Sequence, residues 1–198
     1  MEMMKTFIEI GACDFETNMD LIKTGHWLGI MCEPSPPYNK KLENIAENIP
    51  YRDNLTISDH AISDFNGKIN FAVAKDNGHE TRALGDWRRG ISSVVAENHQ
   101  GERLFDLKGN QKFVDYFVDV PCMTLNKLIS ESGWEHINYL KIDTEGHELN
   151  ILEPYSWDIK PDVLKIEHTH IDDTYLKRLL EAQGYMVYVE RNDLYALI

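Results

Sequence analysis

The chain has few cysteines, few basic residues and no long apolar run. Its three cysteines, Cys13, Cys32 and Cys122, are an odd set without CxxC spacing, which argues against a disulfide framework and against a thiolate zinc site. No uncharged apolar stretch reaches the length of a membrane span. These absences predict a protein of the reducing cytoplasm that is neither exported nor embedded in a membrane.

Acidic residues outnumber basic ones. The sequence contains 20 Lys and Arg against 33 Asp and Glu, a net charge of −13. The resulting field repels phosphate backbones and anionic lipid surfaces. We therefore expect a small-molecule partner, with no nucleic acid and no membrane as partner. The sequence leaves the oligomeric state open.

Apolar runs with turn residues after them alternate with stretches of helical periodicity. With 198 residues, 42% of them hydrophobic, the chain is large enough for one domain spanning 1–198. Continuous apolar strands separated by helices predict an α/β fold, a mostly parallel sheet with helices on both faces. The predicted strands are 6–10, 27–32, 54–57, 139–143 and 163–167. Helices are predicted near 19–22, after a Ser35 cap through Leu42 and Ala46, over 125–132, and from a cap at Asp172 or Asp173 until Gly184 ends the helix.

Two antiparallel hairpins complete the prediction. The Asn66-Gly67 turn joins alternating runs at 61–63 and 69–73, and a second turn joins 185–190 to 194–198. Between the two hairpins, a second alternating run at 113–120 reads as a further strand.

The segment from Lys75 to about Lys112 is polar and shows little periodicity, which predicts an irregular insertion. It concentrates aromatic and basic side chains, among them Trp87, Arg88 and Arg89. As a substrate lid, it would offer Trp87 to a sugar ring and the arginines to a carboxylate or phosphate. As a solvated loop, it would have no such role, and the sequence supports both interpretations equally.

The most informative stretch is Tyr139 to Glu148, an apolar strand that ends in several acids. Parallel strands carry their ligands at their carboxyl ends, so Glu9, Glu33 and Asp143 should meet in one crevice. A glycine turn at Gly11 followed about twenty residues later by an acid is the pattern of a nucleoside site, with the acid on the ribose. The chain lacks GxGxxG after this strand, and an acidic turn suits a cationic cofactor better than a dinucleotide. We expect the carboxylates to stabilise that cation with no protein cation beside them.

Six blocks of the sequence resemble the FkbM-type S-adenosylmethionine-dependent methyltransferases, and they span nearly the whole chain. The most specific block is Lys141-Ile-Asp-Thr-Glu-Gly-His-Glu148; the others are 9–12, Glu33-Pro34, 61–67, 90–93 and 120–128. The resemblance implies a Rossmann-like class I methyltransferase fold, a mostly parallel seven-stranded sheet with a reversed final strand. It also implies S-adenosyl-L-methionine as cofactor and O-methyl transfer to a sugar or another hydroxylated small molecule.

The resemblance assigns roles to individual residues. Glu9, Gly11 and Ala12 would border the methionine portion of the cofactor, Glu33 the ribose, Ser58 to His60 the rim of the adenine site, and Asp143 the sulfonium. The implied cofactor-binding set is Glu9, Gly11, Ala12, Cys13, Asp14, Glu33, Pro34, Ser58, Asp59, His60 and Asp143. The family usually carries Asn where Cys13 stands and Gly where Phe15 stands, so the methionine end of the cofactor would be held differently here.

O-methyl transfer needs a base for the acceptor hydroxyl. His168 and Glu145 follow adjacent predicted strands, and with Asp143 they form the predicted catalytic set; a histidine titrates near neutral pH. His170 would lie on the acceptor side. The alternatives are that His168 is a partly buried polar residue, that His170 faces water, and that Glu145 interacts only with a helix N-terminus.

Two other functions use the same residues. Asp143, Glu167 and His168, with Glu145 and His170 nearby, offer ligands for a divalent metal, although their spacing matches no recognised metal motif. Such a site would suit a metal-dependent hydrolase or lyase. The departures at Cys13 and Phe15 leave a third possibility, a catalytically inactive nucleoside-binding module of the same fold.

Overall fold

The computed structural model describes residues 4–13, 18–74, 93–94 and 114–198. The strands in these ranges are β1 (Lys5–Ile10), β2 (Trp27–Cys32), β3 (Leu55–Ser58), β4 (Ala61–Ser63), β5 (Gly67–Ala74), β6 (Ser93–Val94), β7 (Val114–Thr124), β8 (Tyr139–Ile142), β9 (Val163–Glu167), β10 (Met186–Glu190) and β11 (Asp193–Leu197). The helices are α1 (Met19–Lys23), α2 (Pro36–Ala46), α3 (Leu125–Ser132), α4 (Glu148–Leu152) and α5 (Asp173–Ala182), with a 3₁₀ turn at Arg52–Asn54.

The larger sheet has seven strands in the order β10-β11-β9-β8-β1-β2-β3. Its centre is parallel, from β9 through β8, β1 and β2 to β3. The final strand β11 runs antiparallel to both β9 and β10. This arrangement confirms the predicted Rossmann-like class I methyltransferase fold, a mostly parallel seven-stranded sheet with a reversed final strand.

Helices pack on both faces of this sheet, as predicted. Side chains alternate along β1, so Phe7 and Ile8 point to opposite faces, and each belongs to a different core cluster. The Phe7 cluster includes side chains of α1 and α2, whereas the Ile8 cluster includes side chains of α3, α4 and α5. The continuous apolar strands reflect this burial on two sides.

Helix ends show where local rules apply and where they do not. Thr124 and Asp172 cap α3 and α5 by accepting hydrogen bonds from Lys127 N and Tyr175 N. Ser35 precedes α2 as predicted, yet its side chain makes no capping bond. Because prolines occupy the first two positions of α2 and lack an N–H, little remains there for the Ser35 hydroxyl to cap.

The smaller sheet corrects one prediction. Its order is β4-β7-β5-β6, so β7 lies between the two strands that we expected to form a hairpin. Ala61 and Gly67 both pair with Cys122, in parallel and antiparallel register respectively. The Asn66 side chain does not merely shape a turn; its Oδ1 accepts a hydrogen bond of 3.1 Å from Thr124 N at the end of β7.

The predicted irregular insertion is also corrected at two residues. Ser93 and Val94 form β6, which pairs with β5, and the Val94 side chain is buried. The proposed lid residues Trp87, Arg88 and Arg89 lie outside the described residues.

Among the residues that the structure describes, no helix is both long enough and apolar enough to cross a membrane.

Candidate active site

The turn after β1 lies against the ends of two neighbouring strands. The amides of Gly11 and Ala12 donate to Cys32 O at 3.0 and 3.1 Å, and Asp143 N donates to Ile10 O at 3.0 Å. Gly11 has a φ of +79°, and a Cβ there would lie 1.8 Å from the carbonyl oxygen of Asp143. Only glycine allows this approach. Together with the backbone hydrogen bonds, it lets the carboxyl ends of β1, β2 and β8 meet as the sequence predicts.

Glu33 spans the turn after β1 and the start of α2. Its Oε2 accepts from Cys13 N at 2.6 Å and its Oε1 from Ser35 N at 2.7 Å, and the residue is 4% exposed. Cys13 adopts a φ of 53°, a left-handed conformation that Asn tolerates better than most residues. An Asn, which the resemblance implies at this position, would suit the same backbone conformation.

The ends of β2 and β3 are joined by a residue that the sequence analysis missed. Asn39 on α2 donates from Nδ2 to Glu33 O at 3.0 Å and to Ser58 O at 3.1 Å. Beyond β3, the His60 amide donates to Ser58 Oγ at 3.3 Å, and the His60 ring nitrogen lies 3.0 Å from Asp59 Oδ1. The predicted adenine-rim residues Ser58, Asp59 and His60 thus form one local group beside Glu33. Asp14 lies outside the described residues.

Glu9 contradicts the expectation of carboxylates without a protein cation. Its Oε1 accepts from Lys141 Nζ at 2.9 Å and its Oε2 from Asn18 Nδ2 at 2.8 Å, and the residue is 1% exposed. Glu9 and Lys141 are direct partners across β1 and β8, so pairing these strands would have predicted the contact. Burial opposes the charge of Lys141, but Glu9 and Asp143 outweigh it and raise the pKa of the ammonium.

Asp143 is the most accessible carboxylate of this group, with 33% of its side chain exposed. Burial raises its pKa, and Lys141, whose Nζ lies 3.5 Å from Asp143 Oδ2, acts in the opposite direction. The Glu9–Lys141 pair is neutral as a unit. The edge formed with Glu33 and Asp143 therefore keeps a net negative charge.

A second group of titratable side chains lies at the ends of β8 and β9. His170 Nε2 is 3.3 Å from Glu145 Oε2 and 3.7 Å from Glu167 Oε1. Glu145 adopts a left-handed φ of 60°, an uncommon conformation for a residue with a Cβ that Tyr51, Trp157 and Arg191 also adopt. Burial raises the pKa of Glu167, with His170 acting in the opposite direction.

His168 is placed differently from His170. Its amide donates to Asn192 O at 3.0 Å, and its ring Nε2 is buried without a hydrogen-bond partner. Nε2 of His168 is therefore buried, whereas Nε2 of His170 faces the carboxylates of Glu145 and Glu167.

The loop between β8 and α4 is held from inside by Glu148. Its Oε1 accepts from Thr144 N at 2.7 Å, from Thr144 Oγ1 at 2.9 Å and from Gly146 N at 3.3 Å. Burial raises the pKa of this carboxyl to about 7, against the lowering effect of the hydrogen bonds. Glu148 thus shapes the loop that carries Asp143 and Glu145.

His147 ties the same loop to the smaller sheet. Its Nε2 lies 2.8 Å from Ser63 Oγ, which also donates to Asp64 Oδ1 at 2.9 Å. Burial lowers the pKa of His147 to about 4, so the imidazole is neutral near pH 7. Ser63 and His147 are 84 residues apart, and no local sequence pattern signals their contact.

The profile of the methyltransferase FkbM domain matches residues 9–187. The chain belongs to this family. The FkbM methyltransferases use S-adenosylmethionine as methyl donor, and this chain is an S-adenosylmethionine-dependent methyltransferase. No protein of curated function matches the chain significantly.

Two solved structures support the fold of this FkbM methyltransferase. The precorrin-6y C5,15-methyltransferase from Geobacter metallireducens is 12% identical with a TM-score of 0.51, over 99% of this chain and 79% of that one. The METTL16 methyltransferase domain is 11% identical with a TM-score of 0.51, over 99% of this chain and 59% of that one. At these identities the likeness concerns the fold alone.

The described residues of the FkbM domain fit S-adenosylmethionine. The methionine end of this cofactor is positively charged at sulfur and nitrogen. The edge formed by Glu9, Glu33 and Asp143 is negative, because Lys141 neutralises only one of these carboxylates. No group of three or more His, Cys, Asp or Glu side chains converges to hold a metal within the described part of the chain.

Proposed function

We propose that this FkbM methyltransferase transfers a methyl group to a hydroxyl oxygen of a small molecule such as a sugar, and that His170 accepts the hydroxyl proton. The observation that carries the proposal is the position of His170 between Glu145 and Glu167, at the carboxyl ends of two adjacent parallel strands. Asp143 ends the first of these strands, next to the turn after β1. Donor and acceptor groups would therefore meet at neighbouring strand ends.

Methyl transfer requires that the donor and the acceptor are positioned and that one proton leaves the acceptor hydroxyl. S-adenosylmethionine supplies a methyl group bonded to a cationic sulfur. Asp143 would orient the sulfonium side, and Glu33, with Gly11, Ala12, Cys13 and Pro34 around the turn, would hold the ribose and methionine portions. His170 Nε2 would donate its proton towards the carboxylates of Glu145 and Glu167, so the other ring nitrogen, Nδ1, would take the proton from the acceptor hydroxyl. The two carboxylates would then stabilise the imidazolium that forms.

This assignment moves the base from His168 to His170. His168 was predicted from its position after β9, but its Nε2 is buried without a hydrogen-bond partner, and among the described residues no carboxylate pairs with its ring. His170 has carboxylate partners that fix its ring orientation. Glu145 keeps a role as a partner of the base.

The charge of the same edge supports a neutral acceptor. Glu145, Glu167 and Asp143 form an acidic surface, which favours a neutral polyol over an anionic acceptor. Trp87, Arg88 and Arg89 remain proposed acceptor contacts. The absence of a nucleic-acid partner, the cytoplasmic location and a metal bound by Asp143, Glu167 and His168 remain predictions from the sequence, and no structural observation favours the hydrolase or lyase alternative.

The test is methyl transfer from labelled S-adenosylmethionine to a panel of sugars and glycosides. We expect His170→Asn to lower kcat by about 10²- to 10⁴-fold, the usual contribution of a general base, with unchanged binding of S-adenosylhomocysteine. His136→Asn is the matched control, because His136 also pairs with a carboxylate, Asp162 at 3.0 Å, but precedes β8 at the opposite edge of the sheet.

Three outcomes would change the assignment. Full activity in His170→Asn together with loss of activity in His168→Asn would identify His168 as the base. Activity that disappears with a chelator and returns with a divalent ion would establish metal dependence. Cofactor binding without turnover on any acceptor would favour the inactive binding module.

A further inference from the structure

Strand β10 (Met186–Glu190) is an exposed edge of the seven-stranded sheet, bonded on one side to β11. Its apolar side chains are unusually open to solvent: Met186 is 74% exposed, and Tyr188 and Val189 are each 51% exposed. Successive residues of a strand point to opposite faces, so Tyr188 and Val189 expose apolar surface on both sides of the edge.

This edge lacks the features that normally prevent strands from pairing between molecules. Between Met186 and Glu190 there is no proline, no lysine and one charged side chain, Glu190, and the pairing with β11 is regular throughout. Open edges of this kind template pairing with another strand. In a chain with a net charge of −13, repulsion between copies is weakest at such an uncharged strip.

We propose that two copies of this chain associate through β10, with the two strands antiparallel about a twofold axis at Tyr188. The Arg191-Asn192 turn is flanked by the pair Glu190 and Asp193, and the pair beside a two-residue turn exchanges both of its hydrogen bonds. Glu190, Tyr188 and Met186 therefore bond inward, to β11. The backbone groups of Val187 and Val189 point outward and are free to bond the second copy.

The twofold geometry makes this edge complementary to itself. The backbone of Val187 bonds that of Val189 in the second copy, and the backbone of Val189 bonds that of Val187 there. Tyr188 lies opposite Tyr188 of the second copy. Tyr188 already stacks on Tyr195 with ring centroids 5.2 Å apart and an interplanar angle of 8°. Pairing extends this stack into a row of four rings, and aromatic cross-strand pairs stabilise a sheet.

Charges at the ends of the strand support the same register. Arg191 is exposed at the tip of the turn, and the register places it opposite Tyr185 of the second copy. Tyr185 follows closely after α5, which ends at Ala182 and carries the exposed Glu181 in its last turn, where Lys177 Nζ lies 3.8 Å from Glu181 Oε1. A cation there interacts favourably with the acid and with the C-terminal end of the helix dipole, and the twofold axis forms this contact twice.

Sedimentation velocity over a concentration series tests the proposal on the intact chain. We expect the wild type to be dimeric at about 100 µM. Val189→Pro removes one outward N–H that the monomer leaves unpaired, so the monomer should fold while dimerisation weakens by at least about tenfold. Val189→Thr keeps the N–H and should stay dimeric. Circular dichroism and thermal unfolding check the fold of each variant.

A charge exchange adds an independent measurement. Arg191→Glu should weaken the dimer, and Arg191→Glu combined with Glu181→Arg should restore it, because the pair is reversed between copies. A wild type that is monomeric throughout overturns the proposal. A dimer that neither Val189→Pro nor the charge exchange affects also overturns it, since the copies would then meet elsewhere. Binding of a heterologous extended peptide to β10 in a monomeric wild type would identify another occupant. The proposal does not depend on the enzyme's acceptor.

Discussion

At Gly11 the chain leaves β1 with a φ of +79°, and a Cβ would lie 1.8 Å from the carbonyl oxygen of Asp143. A side chain at Gly11 would destabilise the fold in two ways, through the left-handed backbone conformation and through the clash with backbone atoms. Gly133 separates them, because it has a similar φ of +69° but no heavy atom within 4 Å of a built Cβ.

We expect Gly133→Ala to lower the free energy of unfolding by about 1 kcal/mol, the cost of the backbone conformation alone. Gly11→Ala should lower it by at least about 3 kcal/mol, because the backbone of β8 must move away. Urea unfolding measures both values. Equal losses in the two variants would mean that the contact between the β1 turn and Asp143 is not tight.

Glu148 makes the stability of the protein depend on pH. Burial raises its pKa from 4.5 to about 7, so the folded state binds this proton more tightly than the unfolded state. Its contribution is fully present below pH about 4.5 and is lost as the pH rises to about 7, on the order of 3 kcal/mol in total.

Glu148→Gln should remove this dependence, because the amide oxygen can still accept from Thr144 and Gly146 and carries no charge. The measurement is the free energy of unfolding of both proteins between pH 4.5 and 8. The difference between variant and wild type should shift in favour of the variant as the pH rises. A constant difference across this range would contradict a raised pKa at Glu148.

At the scale of the elements, β1 and β8 are joined through a buried ion pair in addition to backbone bonds. Lys141 Nζ lies 2.9 Å from Glu9 Oε1, and both side chains are largely buried. Removing one partner of such a pair leaves an uncompensated buried charge, which costs far more than the pair itself contributes.

Lys141→Met should therefore lower the free energy of unfolding by about 3 to 5 kcal/mol, and adding Glu9→Gln should recover part of that loss. Lys165→Met is the control: its partner Asp193 lies 3.0 Å away, but the two side chains are 25% and 29% exposed, so a loss of about 1 kcal/mol or less is expected. Thermal or chemical unfolding of the four proteins provides the comparison. A small loss in Lys141→Met would show that Glu9 is neutral in the fold.

Local patterns predicted the elements of the larger sheet well, and contacts between distant segments account for the errors. The strands around Ile8, Ile30 and Leu164 were predicted because burial on both faces makes them continuously apolar. The hairpin at Asn66-Gly67 was wrong because β7, more than 40 residues later in sequence, competes for both strands. A turn motif records local preference and carries no information about such a competitor.

At the scale of the whole molecule, parallel strand order brings the predicted residues to one edge. That Glu33 and Asp143 lie near Gly11 followed from the carboxyl-end rule alone. The sequence did not reveal Asn18, Asn39 and Lys141 as partners, because each contact depends on the spatial neighbour of its strand or helix. The choice between His168 and His170 likewise rests on which ring faces the strand-end carboxylates, a property of the folded chain.

The central claim is that the edge bearing Glu33 and Asp143 binds the S-adenosyl cofactor for methyl transfer. Calorimetric titration with S-adenosylmethionine, which keeps the cationic sulfur, tests it most directly, with Asp143→Asn as the variant and Glu43→Gln, an exposed residue of α2, as the control. The account predicts micromolar binding to the wild type and to Glu43→Gln, and binding weakened by about tenfold or more in Asp143→Asn. Absence of micromolar binding to the wild type, with or without a divalent metal, would contradict it.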